Sequence, residues 1–528
     1  MNIFIVRHGE SIGNTKQGYI SGRSDPDGLT QKGKVQIIRS AWELKDQPVD
    51  AIYYSPVKRA QESARIVHSL LGGSFHKADW LSELDHGMFE GKYWWEVIDQ
   101  IPSSWRKKRE DYRSAYPGGG ESMASLGQRI WEASKDFLAH QSDSKTIVLV
   151  THQAVIGAFR YCLQFGNPAE NEKAYLQFLH KHIVPNAAVI RIKLKKNIVQ
   201  WTKEQTAFDK IDPKQEATEF YAQAIFHSSR HSKTKKHVTA SKNNVYQLNF
   251  GNETYLFKHM IEKSNTEVQR QLSLHTYLQS KHLPSPRIVY ADQTGLFFHD
   301  PIIVQDFSTG VDQEVCFAHH THEQGSLLKN IHTFADQIHD LPIEEVKQFW
   351  KPPGDSVFQS WKHFMHLNIN LTIHFLTEWL SDDRLVTFLQ EELKKLRRYA
   401  IHGQYAYTPI HGDFAPGNII VKETKKGCAL ERVIDFEWAR LGDPLWDFAY
   451  YGGWLDRADA NLSKQWQDIL KQKHSTKEYV RMEQYRLLFH AWTVRDMFEY
   501  TDSAIHKTRG EESKRIIVTL LRERIGQD

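Results

Sequence analysis

The sequence predicts two domains: an N-terminal α/β three-layer sandwich with a mostly parallel sheet, and a C-terminal α+β fold with two lobes. Three observations predict this arrangement. The chain has 528 residues, which is more than one hydrophobic core usually organises. In the first two hundred residues, short apolar runs alternate with helical patterns, as expected of a parallel sheet with helices on both faces. From about residue 245, a few strands are followed by patterns that are mostly helical, which is typical of an α+β domain.

The first domain, predicted at 1–201, begins with a short apolar run that is followed by polar residues. This pattern indicates a buried strand that ends in a polar loop. The predicted strands are 3–6, 51–54, 146–150 and a closing strand within 190–201, and the predicted helices are 30–44 and 59–71. Arg7-His8, Ser55-Pro56 and Thr151-His152 follow the first three strands. Ligands bind beyond the C-terminal ends of such strands, so these polar groups are expected to form one site.

Residues 202–237 are predicted to be a helical and basic linker, with a helix at 214–226 and a polar run at 228–237. A nucleic-acid tail is the alternative for this run, but a solvated link is commoner. The second domain is predicted at 238–528, with a small lobe at about 238–308 and a large lobe at about 309–528. Its predicted strands are 245–250, 254–259, 288–290, 302–305, 418–422 and 432–435, with a helix at 267–278 and mainly helices from 324 onward.

The composition is that of a soluble globular protein, with 40% hydrophobic and 25% charged residues. A net charge of +4 is small for this length and does not favour a nucleic-acid partner. No apolar run approaches the length of a membrane helix, so no membrane association is expected. The three cysteines, Cys162, Cys316 and Cys428, lack metal-ligand spacing and make a disulfide framework implausible. A reducing, cytoplasmic compartment is therefore expected.

The polar groups of the first domain match the needs of phosphoryl transfer to an imidazole. Such a reaction needs a neutral histidine nitrogen, cations around the phosphate oxygens, and an acid for the leaving oxygen. Arginine suits phosphate because its planar fork matches the phosphate geometry. The candidate residues are Arg7, His8, Asn14, Arg59, Glu83 and His152. Any one of them alone is weak support, because a single histidine at a strand end is more often structural.

Together, these residues resemble the histidine phosphatase superfamily, also called phosphoglycerate-mutase-like, over about residues 1–200. The matching segments are Arg7-His8-Gly9-Glu10-Ser11, Gly22 with Asp25, Leu29-Thr30-Gln31-Lys32-Gly33, Ser55-Pro56-Val57-Lys58-Arg59-Ala60, Gly119-Gly120-Glu121-Ser122 and Val150-Thr151-His152. The resemblance implies that His8 is the nucleophile, Glu83 the general acid, and Arg7, Arg59 and His152 the phosphate ligands, without a metal or other cofactor.

The spacing between Glu83 and Gly120 bears on the choice between phosphatase and mutase. Mutases of this family carry longer insertions around the substrate, which retain the phosphorylated compound for a second transfer. Gly120 follows Glu83 by only 37 positions. This spacing favours a phosphatase, in which water attacks the phosphohistidine. Arg23 and Glu10 are candidates for substrate contact, but surface roles explain them equally well.

A second set of polar residues lies in the segment Ile410-His411-Gly412-Asp413-Phe414-Ala415-Pro416-Gly417-Asn418. Asp435 follows Asn418 by 17 positions, within Val433-Ile434-Asp435-Phe436-Glu437. Transfer of a phosphoryl group from ATP needs an aspartate that orients the acceptor hydroxyl, oxygen ligands for Mg²⁺, and a lysine on the nucleotide phosphates. Asp413, Asn418, Asp435 and Lys258 are the candidates for these roles.

This second set resembles the aminoglycoside phosphotransferase and choline kinase family, a branch of the protein-kinase-like fold, over about residues 238–528. The resemblance implies that Asp413 is the catalytic base, that Asn418 and Asp435 bind magnesium, and that Lys258 binds ATP. It also places Asp306 near the adenine. One position departs from the family pattern: Gln271 stands where a glutamate should pair with the lysine, and Glu267, one turn earlier, is the candidate substitute.

Two hypotheses follow. The chain is a bifunctional enzyme that hydrolyses a small phosphate ester and transfers the ATP γ-phosphate to a hydroxyl of a small molecule. Alternatively, the kinase-like domain is a catalytically weak nucleotide sensor that controls the phosphatase. An aminoglycoside acceptor would need an acidic pocket, and the last helices offer acidic and basic residues together: Asp456, Asp459, Glu499 and Asp502 beside Arg457, Lys464 and Arg495. The substrates and the oligomeric state stay open.

Overall fold

A computed structural model describes most of the chain, and it divides into two compact units. The described residues are 1–24, 28–100, 112–195, 198–201, 215–227, 232–237, 244–261, 263–319, 324–350, 360–403, 407–424 and 427–526. Asp25 and two parts of the predicted linker, 202–214 and 228–231, lie outside them. The first unit comprises Met1–Asn265 and Tyr290–Val304, and the second comprises Thr266–Val289 and Gln305–Asp528.

The first unit is built on a six-stranded sheet with the order β4-β3-β6-β1-β7-β8. The strands of its N-terminal part are β1 (Asn2–Arg7), β2 (Tyr19–Ile20), β3 (Ala51–Tyr54), β4 (Ser74–Lys77), β5 (Lys92–Tyr93), β6 (Thr146–Thr151), β7 (Val189–Lys195) and β8 (Ile198–Trp201). Its helices are α1 (Ile12–Thr15), α2 (Gln31–Glu43), α3 (Lys58–Leu71), α4 (Trp94–Val97), α5 (Met123–Ala139), α6 (Gln153–Phe165), α7 (Glu172–Lys181) and α8 (Gln215–Phe226).

The pairing of these strands confirms the predicted α/β sandwich with a mostly parallel sheet. Strands β4, β3, β6 and β1 pair in parallel, and β7 and β8 add two antiparallel pairings. On one face, Ile3 and Ile5 share a buried cluster with Leu126 of α5 and Phe159 of α6. The intervening strand residues face the other side, because side chains alternate along a strand. The closing segment differs from the prediction, since 190–201 holds two antiparallel strands instead of one.

A five-stranded sheet follows, with the order β12-β13-β11-β10-β9. Its strands are β9 (Ser232–His237), β10 (Asn244–Phe250), β11 (Glu253–His259), β12 (Ile288–Asp292) and β13 (Ile302–Asp306). The predicted hairpin of β10 and β11 is present, and Gly251 at its turn has a φ of +61°, which a side chain would disfavour. Most of this sheet belongs to the first compact unit, and the boundaries of the small lobe at about 238–308 stay a prediction.

One segment of the predicted linker is structured. Ser232–His237 forms β9, which pairs antiparallel with β10 at the edge of the sheet. The expectation of a solvated link is therefore wrong for this segment. Its backbone groups are paired, and an edge strand rich in lysine needs no alternating apolar pattern.

The second unit is mostly helical. Its helices are α9 (Asn265–Ser280), α10 (Gln313–His319), α11 (Gly325–His339), α12 (Ile343–Val346), α13 (Trp361–Trp379), α14 (Asp383–His402), α15 (Leu445–Ala458), α16 (Ala460–Lys473), α17 (Thr476–Glu499) and α18 (Ala504–Ile525). Its strands are β14 (Val311–Asp312), β15 (Thr408–Ile410), β16 (Ile419–Thr424), β17 (Gly427–Val433) and β18 (Arg440–Gly442). This composition, α+β with a large helical part, is the predicted one.

The small strands of this unit place the second set of polar residues. Strand β15 ends at Ile410, directly before His411, and β16 begins at Ile419, directly after Asn418. Strands β16 and β17 pair antiparallel. β17 ends at Val433, so Asp435 lies past the strand that was predicted to include it. The predicted catalytic residues of this unit therefore lie in loops held by strands.

Cys316 of α10 and Cys428 of β17 form a disulfide, which corrects the expectation from cysteine spacing. The two residues are 112 positions apart, so only the fold could reveal their proximity. Cysteine usage therefore gives no support to a reducing compartment. No helix in the described part of the chain combines the length and apolar character needed to cross a bilayer.

Candidate active sites

His8 lies at the end of β1 and is buried. Its Nδ1 is 2.7 Å from the carbonyl oxygen of Gly9, which can only accept, so Nδ1 holds the proton. The Nε of Arg59 donates to Nε2 of His8 at 3.1 Å, which fits an unprotonated Nε2. Burial, then the charges of Arg59 and Arg7, hold the pKa of His8 well below its usual range. His8 is therefore a neutral imidazole whose Nε2 lone pair accepts a hydrogen bond from a cation.

The segment after His8 packs tightly against the first turn of α2. A Cβ built on Gly9 would lie 2.2 Å from the carbonyl oxygen of Gly33, and one on Gly33 would lie 2.0 Å from that of Glu10. Only glycine permits this approach at either position. The side chain of Gln36 accepts a hydrogen bond from the Glu10 backbone, so α2 fixes the loop that presents His8.

Two arginines lie beside the imidazole. The terminal nitrogens of Arg59 donate to the carbonyl oxygens of Ser21 and Gly22, each at 2.7 Å, which fixes the side chain. One terminal nitrogen of Arg7 donates to the carbonyl of Val184. The Nε of Arg7 is buried and has no hydrogen-bond partner among the described residues. A buried donor without a partner is costly, so this atom is suited to a ligand that accepts.

His152 lies at the end of β6, with its ring centre 5.1 Å from that of His8. Its Nε2 is 2.7 Å from Oγ of Ser55, at the end of β3, and its Nδ1 is buried without a partner in the described structure. Burial, then Arg59 and His8, hold its pKa well below the usual range. This pocket therefore contains a second neutral histidine with an unused ring nitrogen.

Glu83 and Asn14 complete the predicted set. Glu83 is buried, and its Oε1 accepts the backbone N–H of Leu84 at 2.9 Å. Asn14 accepts from the backbone of Ser11 at 3.1 Å and from the side chain of Asn186 at 3.2 Å. The side chain of Asn186 also donates to the carbonyl of His8 at 3.2 Å. Asn14 thus adjoins the histidine loop through Asn186.

In the second unit, the side chain of Asp413 is held by two donors. The hydroxyl of Tyr450 donates to one carboxylate oxygen at 2.8 Å, and the amide of Asn418 donates to the other at 3.0 Å. Burial raises the pKa of Asp413, and the neighbouring charge of Asp435 raises it further, while His411 opposes the shift. A fixed carboxylate with a raised pKa is suited to accept a proton.

The backbone around Asp413 is held by Asp447, a buried residue near the start of α15. Its carboxylate accepts the backbone N–H groups of His411 at 2.8 Å and Gly412 at 3.0 Å, and it lies 3.1 Å from Nε2 of His339. Gly412 has a φ of +83°, and a Cβ there would lie 2.3 Å from the carbonyl oxygen of Trp438. The loop therefore requires both this aspartate and this glycine.

Asn418 and Asp435 have the chemistry of a magnesium site. The Nδ2 of Asn418 is used on Asp413, so its Oδ1 is the oxygen available as a ligand. Asp435 adopts a left-handed conformation with a φ of +65°, which is strained for a non-glycine residue. Amide and carboxylate oxygens are the ligands that Mg²⁺ prefers, so these residues fit the ion.

The predicted nucleotide residues lie in both units, and each is described within its own. Lys258 is on β11, opposite Val245 of β10. Glu267 is buried on α9, where Arg270 binds both of its oxygens at 2.7 and 2.8 Å. Gln271 also donates to Glu267, at 3.0 Å. Gln271, the residue that departs from the family pattern, therefore helps to hold the side chain of Glu267 through a hydrogen bond.

Asp306 ends β13, and its carboxylate is already engaged. One oxygen accepts the backbone N–H of Arg287 at 2.8 Å and a guanidinium nitrogen of Arg432 at 2.9 Å. These contacts fix the end of β13 to Arg287 and Arg432, which belong to the second unit as Asp306 does. They give the Asp306 side chain a structural role.

Both parts of the chain are similar to known protein families. The model of the histidine phosphatase superfamily (branch 1) matches residues 3–203, and phosphoserine phosphatase 1 of Hydrogenobacter thermophilus is 34% identical over 169 residues. This alignment covers 31% of the chain and 77% of that relative. The chain belongs to the histidine phosphatase superfamily. The model of the phosphotransferase enzyme family matches residues 238–485, so this part of the chain is similar to a second family.

Other similar proteins cover one part or the other. A 2,3-bisphosphoglycerate-dependent phosphoglycerate mutase of Bartonella tribocorum is 29% identical over 178 residues, covering 32% of the chain and 84% of the relative. The solved α-ribazole phosphatase of Shigella flexneri is 24% identical, with a TM-score of 0.35, and covers 40% of the chain and all of that structure. The GDP complex of aminoglycoside 2'-phosphotransferase-IIIa is 13% identical, with a TM-score of 0.45, and covers 58% of the chain and 99% of that structure.

Three positioning residues, two in the first unit and one in the second, were not predicted from the sequence. Ser55 was quoted only as part of a motif, although it holds His152. Asn186 carried no local signal, because it reaches His8 from 178 positions away. Asp447 of the second unit was not among the candidate residues. Its location at the start of a helix, after a Gly-Asp-Pro turn, was the one signal for it.

Proposed function

We propose that the chain is a bifunctional enzyme whose first site hydrolyses a small phosphate ester through a phosphohistidine at His8. The observation that carries this proposal is the pair of buried, unused donors around the neutral imidazole, Nε of Arg7 and Nδ1 of His152. An anion with several acceptor oxygens would satisfy both. Arg59 and Asn14 complete the proposed phosphate site.

In the proposed reaction, Nε2 of His8 attacks phosphorus while the bond from phosphorus to the ester oxygen breaks. Glu83 gives its proton to that leaving oxygen. Water then attacks the phosphorus of the phosphohistidine and returns a proton to Glu83, which releases inorganic phosphate and restores His8. The pocket requires no metal for these steps, because Arg7 and Arg59 neutralise the oxygens.

The test is hydrolysis of p-nitrophenyl phosphate, O-phosphoserine and 3-phosphoglycerate by the full-length protein. His8→Ala should abolish turnover, whereas His180→Ala, which removes an exposed histidine of α7, should leave it unchanged. Rapid quenching with radiolabelled substrate should trap an acid-labile phosphoenzyme in the wild type alone. Hydrolysis that survives His8→Ala would refute the proposal. Transfer of the phosphoryl group to a second substrate molecule, in preference to water, would make the site a mutase.

We propose that the second site transfers the γ-phosphoryl group of ATP to a hydroxyl of a small molecule. Asp413 takes the proton of that hydroxyl as its oxygen attacks phosphorus and the bond to ADP breaks. Asn418 and Asp435 would hold Mg²⁺, which neutralises charge on the phosphates. Lys258, Glu267 and Asp306 are proposed to bind the nucleotide. The cytoplasm is the proposed compartment, because the reaction consumes ATP.

The carboxylate of Asp413, held by the donors Tyr450 and Asn418, is the observation that supports this activity. The test is release of ADP in the presence of Mg²⁺ and a panel of hydroxyl compounds. Asp413→Asn should reduce kcat by several orders of magnitude without weakening ATP binding. Equal turnover by the wild type and Asp413→Asn would show that this residue is not the base.

Nucleotide sensing is the second candidate function of this domain. It is favoured by Gln271, a neutral side chain that stands where the family pattern has the lysine-pairing glutamate and that donates to Glu267 at 3.0 Å. A sensor would bind ATP and change the phosphatase rate without releasing ADP with any acceptor. Measuring phosphatase turnover against ATP concentration, in the wild type and in Lys258→Met, distinguishes the two functions.

A further inference from the structure

The acidic residues of the last helices are engaged in packing contacts. Asp456 accepts two hydrogen bonds from Arg486 and lies 3.0 Å from Nε2 of His490. Asp459 caps the first turn of α16, and Glu499 lies 3.1 Å from Arg495. These carboxylates are therefore neutralised or used as caps. They do not supply an acidic lining for a cationic acceptor.

The residues of α15 that follow the catalytic contact are aromatic and basic. Tyr450, which holds Asp413, is followed by Trp454 and Arg457 at intervals of four and seven positions, which places all three on one face of the helix. The guanidinium carbon of Arg457 lies 4.1 Å from the centre of the Trp454 ring, and that of Arg509 lies 4.6 Å from it. Two cations thus share one aromatic surface.

Arg457 is incompletely satisfied by the protein. Its Nε is buried and has no hydrogen-bond partner in the described structure. Burial, and then the like charge of Arg509, lower its pKa to about 10, and the charges of Glu512 and Glu314 oppose this shift only in part. A bound anion would offset both the burial and the repulsion.

A cavity of about 280 Å³ adjoins this group and is lined by Arg457, Glu512, Arg515 and Ile516. Two guanidinium groups and one carboxylate line the cavity, Arg509 adds a third guanidinium over the Trp454 ring, and Glu314 adds a second carboxylate that acts on Arg457, so the local charge is positive by one. Guanidinium groups bind carboxylates and phosphates through paired hydrogen bonds. Along the helix axis, Arg457 lies about 10 Å from Tyr450. An acceptor of three to six carbons has a length of this order.

From this arrangement we infer that Arg457 and Arg509, over the ring of Trp454, bind an anionic group of the phosphoryl acceptor. The acceptor is then a small hydroxyl compound that carries a carboxylate or a phosphate, and its hydroxyl reaches Asp413 from the side of Tyr450. This inference rests on the proposed kinase function and names the substrate class of that site. Polycationic acceptors such as aminoglycosides do not match it.

The test uses the full-length His8→Ala protein, so that hydrolysis at the first site does not consume the product. ADP release is measured with matched acceptors of three to six carbons: anions including D-glycerate, glycerol 3-phosphate and gluconate, neutral glycerol and glucose, and the cations choline and kanamycin. Anionic acceptors should give the highest kcat/KM. Arg457→Gln and Arg509→Gln should each raise KM for the anions by about 10- to 100-fold and leave kcat within about threefold. The control Arg522→Gln removes an exposed arginine of α18 and should change neither value.

The outcomes separate this inference from the proposed function. Turnover that depends on Asp413 but occurs only with neutral or cationic acceptors would overturn the inference and leave the kinase function standing. Turnover of anions that is unaffected by Arg457→Gln and Arg509→Gln would also overturn it. If no compound supports ADP release, calorimetry with D-glycerate decides. Binding of D-glycerate that Arg457→Gln abolishes supports the anion site without the kinase function, and absence of that binding overturns the inference.

Discussion

Replacing Ser55 by alanine tests how the first site orients its second histidine. The hydroxyl of Ser55 accepts the backbone N–H of Val57 at 3.3 Å and lies 2.7 Å from Nε2 of His152. The hydroxyl proton has no other acceptor among the described residues, so it is donated to Nε2. Neutral His152 then holds its own proton on Nδ1, the atom left without a partner. Ser55→Ala removes the group that selects this tautomer.

The size of the effect follows from the burial of this hydrogen bond. Both side chains are fully buried, so loss of the donor costs about 1–3 kcal/mol. Most of that cost should appear in the transition state, where the proton on Nδ1 is needed for the phosphoryl oxygens. Since about 1.4 kcal/mol corresponds to a factor of ten, kcat/KM should fall by about 10- to 100-fold.

A matched serine separates catalysis from stability. Ser134 is buried in α5, and its hydroxyl donates to the carbonyl of Trp131 at 3.0 Å, away from the site. Ser134→Ala should lower the free energy of unfolding by a similar amount and leave kcat/KM unchanged. Steady-state hydrolysis of p-nitrophenyl phosphate and urea denaturation measure the two quantities. A Ser55→Ala protein with wild-type kcat/KM, or an equal loss in Ser134→Ala, would contradict the proposed orientation of His152.

Three further predictions concern charge and position. The pKa of His8 is held below 6.5 in the native protein, so below that pH the unfolded chain binds a proton that the native protein does not. The free energy of unfolding should therefore fall as the pH decreases below 6.5, by up to about 1.4 kcal/mol per pH unit. His8→Gln should lose this share of the slope in urea midpoints measured at pH 6.5 and 5.5, and an unchanged slope would contradict the assignment. Asp447→Asn should leave one buried N–H group unpaired, which lowers the free energy of unfolding by about 1–3 kcal/mol. It should reduce ADP release while phosphatase turnover persists. The control Asp468→Asn, at an exposed position of α16, should change neither stability nor ADP release. Arg270→Met should destabilise the protein by about 3–5 kcal/mol, since it leaves the carboxylate of Glu267 buried, and adding Glu267→Gln should restore part of that loss in urea denaturation.

The parts of the fold that the sequence predicts are those set by local pattern. The apolar run at β1 and the polar residues Arg7 and His8 after it are adjacent in the chain, so strand and site could be inferred together. The same holds for β6 with His152. Because the C-terminal ends of parallel strands meet at one edge, the convergence of these residues follows from the fold class alone.

Other features depend on contacts that no local pattern encodes. Asn186 reaches the carbonyl of His8 across 178 positions, and Cys316 reaches Cys428 across 112. The strand at Ser232–His237 is held by backbone pairing at a sheet edge, which its polar sequence does not announce. Backbone hydrogen bonds require no particular side chain, so hydrophobic periodicity predicts edge strands poorly.

The inferred charge of the acceptor bears on whether the two sites share a metabolite. Phosphorylating an anionic hydroxyl compound yields a phosphate ester with further negative charge, and the first site presents Arg7, Arg59 and two neutral histidines to such a group. A cationic acceptor would instead yield an ester whose charges are partly cancelled. Full-length Asp413→Asn should therefore hydrolyse the ester that full-length His8→Ala makes from ATP and an anionic acceptor. If that ester is inert to Asp413→Asn, which still hydrolyses p-nitrophenyl phosphate, the two activities serve different compounds and the fusion joins steps that do not oppose each other.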